Sequence, residues 1–212
     1  FPAGKTKTMV LDVTDIVRRD DPRLRMTTTL QLSLDAVRVC LDSDDAPFTD
    51  TRVDVTSAEL GYRGFSRAQP NPDGTLPERF AYGDLAEPRW NQHPGLYTKY
   101  GEVTPLLGVA DDMDVILGAG DALWFTFDAA GLPPLPAGWT RDWLLELDGW
   151  AKDGDPNTLC AQSVEPLPFH AMTGYPPPPG ENFPDDAAHR QWREEWITRP
   201  GAVLLPPLAG TR

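Results

Sequence analysis

Thr27-Thr-Thr-Leu-Gln-Leu-Ser-Leu-Asp35 alternates, with Leu30, Leu32 and Leu34 falling on one face and Gln31 and Ser33 on the other. A period of two marks a strand with one face buried, because successive side chains of an extended chain point to opposite sides. Arg52-Val-Asp-Val-Thr-Ser-Ala-Glu-Leu-Gly-Tyr-Arg63 repeats the pattern. Lys7 to Val13 reads as a first strand, and Val37 to Leu41 continues the 27–35 strand past a bulge. Phe80-Ala-Tyr82 adds a short strand, and Tyr97 to Leu107 another, broken at Pro105. Met113 to Leu117 and Ala122 to Phe127 flank Gly118-Ala-Gly-Asp121 and read as a hairpin, with Leu123, Phe125 and Phe127 inward. Trp143 to Leu147 is a further apolar strand.

Helical signals are confined to the C-terminal part. Asp185 to Trp196 follows Pro184, carries acidic residues at its start and sets Trp192 and Trp196 one turn apart on one face. These rings read as a stripe docking the helix onto the β core, or as a partner surface if the tail is free. Pro176 to Pro179 is a stiff spacer, and Pro166 and Pro168 keep Val164 to Phe169 extended. Turn signals recur at Asp20-Asp-Pro22, in the acidic loop 42–50, in the loop from Pro70 to Pro77 and in the irregular stretch from Glu87 to Gly95. Leu132-Pro-Pro-Leu-Pro136 is a rigid connection. The expected fold is all-β, a jelly-roll-like antiparallel sandwich over residues 1–174. Residues 175–212 follow as a spacer, a short helix and an extended tail docked on it.

The 212 residues carry 19 Lys and Arg against 32 Asp and Glu, a net charge of −13. Nucleic-acid binding relies on cations that displace phosphate counterions, so this balance argues against it. Membrane insertion is not expected either, since no apolar run approaches the roughly 20 residues of a span. A start at Phe1 fits a cleaved precursor or a piece of a longer protein. Cys40 and Cys160 match no zinc or redox spacing and could pair only in an oxidising compartment.

One loop speaks about chemistry. The strand ending at Leu147 runs into Asp148-Gly-Trp-Ala-Lys-Asp-Gly-Asp-Pro-Asn157. Asp153, Asp155 and Asn157 stand at alternate positions, as the first oxygen ligands of an EF-hand do. The rest of that pattern fails: the sixth position is not Gly, and Val164 stands where a bidentate Glu belongs. A different Ca²⁺ loop would take Asp148, Asp153, Asp155 and Asn157 as ligands, whereas a solvated turn held by Asx hydrogen bonds needs no ion. Trp150 beside these carboxylates suits a sugar, whose C–H face stacks on an aromatic ring. Asp111-Asp-Met-Asp114 is a second acidic cluster and reads as a charged hairpin tip. His93, His170 and His189 have no metal spacing. No G-x-S-x-G elbow or phosphate loop is present. Glu165 with His170 or Asp148 forms an acid–base pair only if a cleft joins them.

Several segments together carry a resemblance: Leu60-Gly-Tyr-Arg-Gly-Phe-Ser66, Pro94-Gly-Leu-Tyr-Thr-Lys-Tyr-Gly-Glu-Val-Thr-Pro-Leu-Leu107, Leu132-Pro-Pro-Leu-Pro-Ala-Gly-Trp139, the 141–158 stretch and Val164-Glu-Pro-Leu-Pro-Phe-His-Ala-Met172. Nearly the whole chain resembles the C-terminal region of exported bacterial proteins with FG-GAP/VCBS propeller repeats, the ASPIC/UnbV-like group, which sometimes carry TPR repeats. The resemblance implies an extracytoplasmic setting and a non-catalytic binding or assembly role, and brings no catalytic residues. Ser33 and Leu34 depart from the aromatics of the family's second strand, which weakens an aromatic platform there. The expectation is thus a module without cofactor, Ca²⁺ aside, that binds a protein partner or copies of itself. Carbohydrate binding through the 148–157 loop is the alternative, and a carboxylate-based hydrolase the third reading. Trp150, Trp192 and Trp196 are the candidate partner surface.

Overall fold

The computed structural model describes residues 11, 13, 16–18, 20–21, 23–25, 37–38, 48–72, 79–152 and 162–205. The alternating segments at 7–13 and 27–35 lie largely or wholly outside these residues, as do both cysteines. The chain divides into two compact units, 4–50 and 51–212, apart from the first three residues. In the first, the Asp20-Asp21 turn is closed by an Asp21 amide bond to the Arg18 carbonyl and by exposed Arg18–Asp20 and Arg23–Asp21 ion pairs.

The second unit is β-rich with antiparallel pairing throughout. Its elements are β1 (Val55–Tyr62), β2 (Phe65–Gln69), β3 (Arg79–Ala86), β4 (Leu96–Tyr97), β5 (Gly101–Glu102), a 3-10 turn (Thr104–Leu106), β6 (Asp121–Phe127), α1 (Ala187–Trp196) and β7 (Arg199–Pro200). They form three sheets, β5-β1-β6, β2-β3 and β4-β7. Among the described residues no sheet closes into a barrel.

β1 shows why alternation works. Ala58 and Leu60 are buried while Ser57 and Glu59 are exposed, and across the ladder Leu60 faces Leu123 and Ala58 faces Phe125. Val103 completes this cluster, with Leu107 and Val115 packed against it. Three sequence expectations need correction. Met113 to Leu117 forms no strand, because β6 takes β1 as its partner and leaves no hairpin at Gly118. The 97–107 segment is no single strand. β4 ends at Tyr97, β5 starts at Gly101 with φ +115°, and Pro105 sits in a 3-10 turn in place of a ladder. Trp143 to Leu147 lies in no ladder at all.

The helix begins where the sequence suggests. Asp186 caps α1, its carboxylate accepting from the amides of Ala188 (2.9 Å) and His189 (3.1 Å). Trp192 is 3 % exposed and stacks on Phe183 within a core of Tyr97, Val164, Leu167 and Ile197. It is thus a packing residue, and an exposed two-tryptophan stripe is not formed. Trp196 is half-buried and packs against both apolar clusters.

A buried polar node ties these elements together. Asp121 has no exposed side-chain surface. One carboxylate oxygen accepts from Arg199 Nη2 (2.6 Å) and the Gly118 amide (2.8 Å), the other from Tyr100 Oη (2.7 Å) and Gln92 Nε2 (3.0 Å). Arg199 also donates to the Thr98 carbonyl and to Gln92 Oε1, and its guanidinium lies 4.1 Å from the Tyr100 ring centroid. Burial, then the bond to Asp121, pushes the Tyr100 phenol up to about 12, so it stays a donor. Gly118 is required here, since a Cβ would fall 2.8 Å from the Tyr97 ring.

A buried ion pair broken from one side leaves an uncompensated charge. Arg199→Ala and Asp121→Ala are each expected to destabilise the fold by about 3 to 5 kcal/mol, read as a drop in urea midpoint. A loss below about 1 kcal/mol, the range of an exposed pair, would count against this role.

Candidate functional site

The carboxylates singled out in sequence divide between two fates. Asp153, Asp155 and Asn157 lie outside the described residues. Asp148 is described, and it meets the ring of His170, 22 positions on, whose other nitrogen meets Asp112, 58 positions before it.

Local geometry sets this meeting. Asp111 Oδ1 accepts the Met113 amide (3.2 Å), and Asp112 takes φ +64°, a left-handed conformation Asp tolerates. Met113 and Ile116 pack against the helix-bearing core and anchor the loop, while His189 of α1 lies 3.1 Å from the Asp111 carbonyl. On the opposite side Phe169 is buried and fixes the chain entering His170. Asp112 Oδ1 accepts both the His170 amide (2.8 Å) and its ring Nδ1 (2.6 Å). The ring Nε2 lies 3.2 Å from each oxygen of Asp148.

With a carboxylate on each ring nitrogen, the doubly protonated imidazole is favoured. The bonds to Asp112 and then Asp148 raise the His170 pKa above its ordinary 6.5. The Asp114 carboxyl is raised as well, first by loss of solvent and then by repulsion from Asp112, Asp148 and Asp111, with His170 opposing. Asp114 keeps an exposed surface, so the neighbouring charges weigh more in our reading than burial does. Glu165 does not join: its carboxylate accepts the Leu167 amide at 3.0 Å. The imidazolium between two carboxylates is a clamp. Among the described residues the hydrogen-bond partners of His170 are Asp112 and Asp148. Among the described residues no group of His, Cys, Asp or Glu side chains forms a metal-binding arrangement.

Next to the clamp, Trp150 is 53 % exposed with its ring 5.5 Å from that of Tyr175. Lys152, which sequence reading passed over, donates its ammonium to the carbonyls of Ser163 (2.7 Å), Val164 (2.7 Å) and Pro166 (3.1 Å). No pattern in the sequence marks a lysine for that task. On the N-terminal side Arg141 donates to the Pro133 carbonyl at 2.7 Å. Between these ties Trp143, Leu144, Leu145 and Leu147 are 55 to 96 % exposed. Among the described residues no backbone–backbone bond involves 141–151. This tethered apolar segment is the feature that most needs a functional account.

His170 has its folded pKa above its unfolded one. Its stabilisation is therefore complete below pH 6.5 and fades as pH rises through the folded value. An NMR titration of the His170 ring is expected to show a midpoint above 6.5, lowered more by Asp112→Asn than by Asp148→Asn. Tm should fall with rising pH over that window, and His170→Asn should flatten the fall. A midpoint at or below 6.5 would contradict the clamp.

Comparison with known proteins leaves the reading to these residues: no family model, no curated protein and no solved structure matches the chain.

Proposed function

We propose that the chain is a non-catalytic, extracytoplasmic binding or assembly module, a jelly-roll-like β-sandwich within a larger exported protein of the FG-GAP/VCBS, ASPIC/UnbV-like kind. One observation carries this reading: Trp143, Leu144, Leu145 and Leu147 stand exposed in one tethered run. Contiguous apolar surface of this kind marks an interaction site, whereas single exposed apolar residues do not. The antiparallel β-rich unit supports the sandwich, and the resemblance across the chain supports the setting. His170 is held between two carboxylates, an arrangement suited to fastening a loop.

A photo-reactive residue in place of Leu144 (96 % exposed) tests the site. Irradiation in the producing cells is expected to give a discrete heavier adduct from position 144 and none from Val203, which is also exposed. Equal adducts from both positions, or none from 144, would sink the reading.

The pairing of exposed Trp150 with Tyr175 next to Asp148 favours a second reading, a carbohydrate-binding module. A sugar face stacks on such rings while a carboxylate takes its hydroxyls. Soluble polysaccharides should then quench tryptophan fluorescence in the native chain and not in Trp150→Ala. If the 148–157 loop holds Ca²⁺, EDTA lowers both Tm and that binding, and added Ca²⁺ restores them.

A further inference from the structure

We propose that the 142–147 segment is a docking strand, and that its occupant is an extended segment of a different protein in which apolar residues alternate with Lys or Arg. This rests on the binding-module reading and names the partner's chemistry.

The backbone is the first argument. Among the described residues, 141–151 make no backbone–backbone bond, so within that part of the structure the segment's amides and carbonyls stand without a ladder partner. An unpaired row of this kind is the template that strand addition uses. The side chains repeat at period two, Trp143, Leu145 and Leu147 on one face if the segment is drawn out, with Leu144 and Glu146 on the other. The ties at Arg141 and Asp148 hold both ends, so an incoming strand meets a segment whose ordering cost is partly met.

Charge selects the occupant. Asp142, Glu146 and Asp148 are the charged residues from 142 to 151, and Arg141 is turned to the Pro133 carbonyl. The whole chain carries −13. A second copy paired antiparallel would set these carboxylates near their own kind, which sheets disfavour. A strand bearing Lys or Arg between apolar residues sets cations against Asp142 and Glu146 and apolar groups against Trp143, Leu145 and Leu147.

The probes are three labelled heptapeptides, alternating Val–Lys, alternating Val–Glu, and Val–Lys with alternate amides N-methylated, titrated against the full chain by fluorescence anisotropy. The Val–Lys peptide is expected to bind at least tenfold more tightly than Val–Glu and to weaken several-fold between low and high salt. N-methylation and Leu145→Pro, which removes an amide, should each abolish binding, while Leu145→Thr keeps it; both variants should retain the native melt, since Leu145 is exposed. Equal binding of the Lys and Glu peptides overturns the charge argument, and undiminished binding of the N-methylated peptide overturns strand addition. A dimer in sedimentation that Leu145→Pro dissolves assigns the surface to a second copy and overturns the proposal. An adduct from position 144 together with peptides that bind without regard to charge leaves the site standing and removes only the partner chemistry.

Discussion

Four donors converge on the two oxygens of Asp121, from Arg199, Tyr100, Gln92 and the Gly118 amide, and the rest of the second unit is arranged around that convergence. A carboxylate removed from water is tolerated only when its lone pairs are filled. Filling them draws together residues that sequence keeps as much as 107 positions apart, as in the Arg199–Gln92 bond. Gln92 extends the network to the Ala202 amide, and Arg199 holds the Thr98 carbonyl, so the two-residue pairing of β4 with β7 does not stand alone. Such short ladders are marginal by themselves. The node supplies the fixed geometry that they lack.

From this frame the candidate surface is reached through irregular chain. The clamp of Asp112, His170 and Asp148 and the ammonium of Lys152 use side chains to hold segments that no ladder holds. Apolar anchors lie directly beside them: Met113 near Asp112, and Val164, Leu167 and Phe169 along the chain that carries His170. Binding surfaces are commonly built in this way, with variable segments fastened to a rigid scaffold. The run from Trp143 to Leu147 is fastened at its ends and exposed along its length. That combination leaves the run accessible while its ends stay fixed.

Legibility in the sequence followed the range of the interaction. The alternation of 52–63 and the apolar positions of 122–127 are set by nearest neighbours along the strand, so β1 and β6 are legible directly, as is α1 from Asp186 and its flanking proline. The exception is Phe127 at the end of β6, which is exposed rather than inward. Partner choice is non-local. Nothing in Met113 to Leu117 says that β6 prefers β1, and a Gly-rich turn reads as a hairpin until Asp121 is seen facing inward. The clamp is half legible: Asp148 and His170 stand out in the sequence, but Asp112 reads as a charged tip because its two bonds to His170 cross 58 residues. Trp192 and Trp196 looked alike at one-turn spacing, and only packing sends the first inside and leaves the second at the boundary.

Trp196 occupies that boundary in a particular way. Its ring touches the cluster built on β1 and β6 and also the cluster built around α1, and the Lys99 ammonium lies 4.3 Å from its ring centroid. One side chain therefore belongs to two cores. Neither core can be opened without stripping contacts from that ring, so sheet and helix share a fate. Cooperative melting of sheet and helix is the expected consequence. Where cleavage by a protease tracks the population of open forms, that coupling is a form of protection.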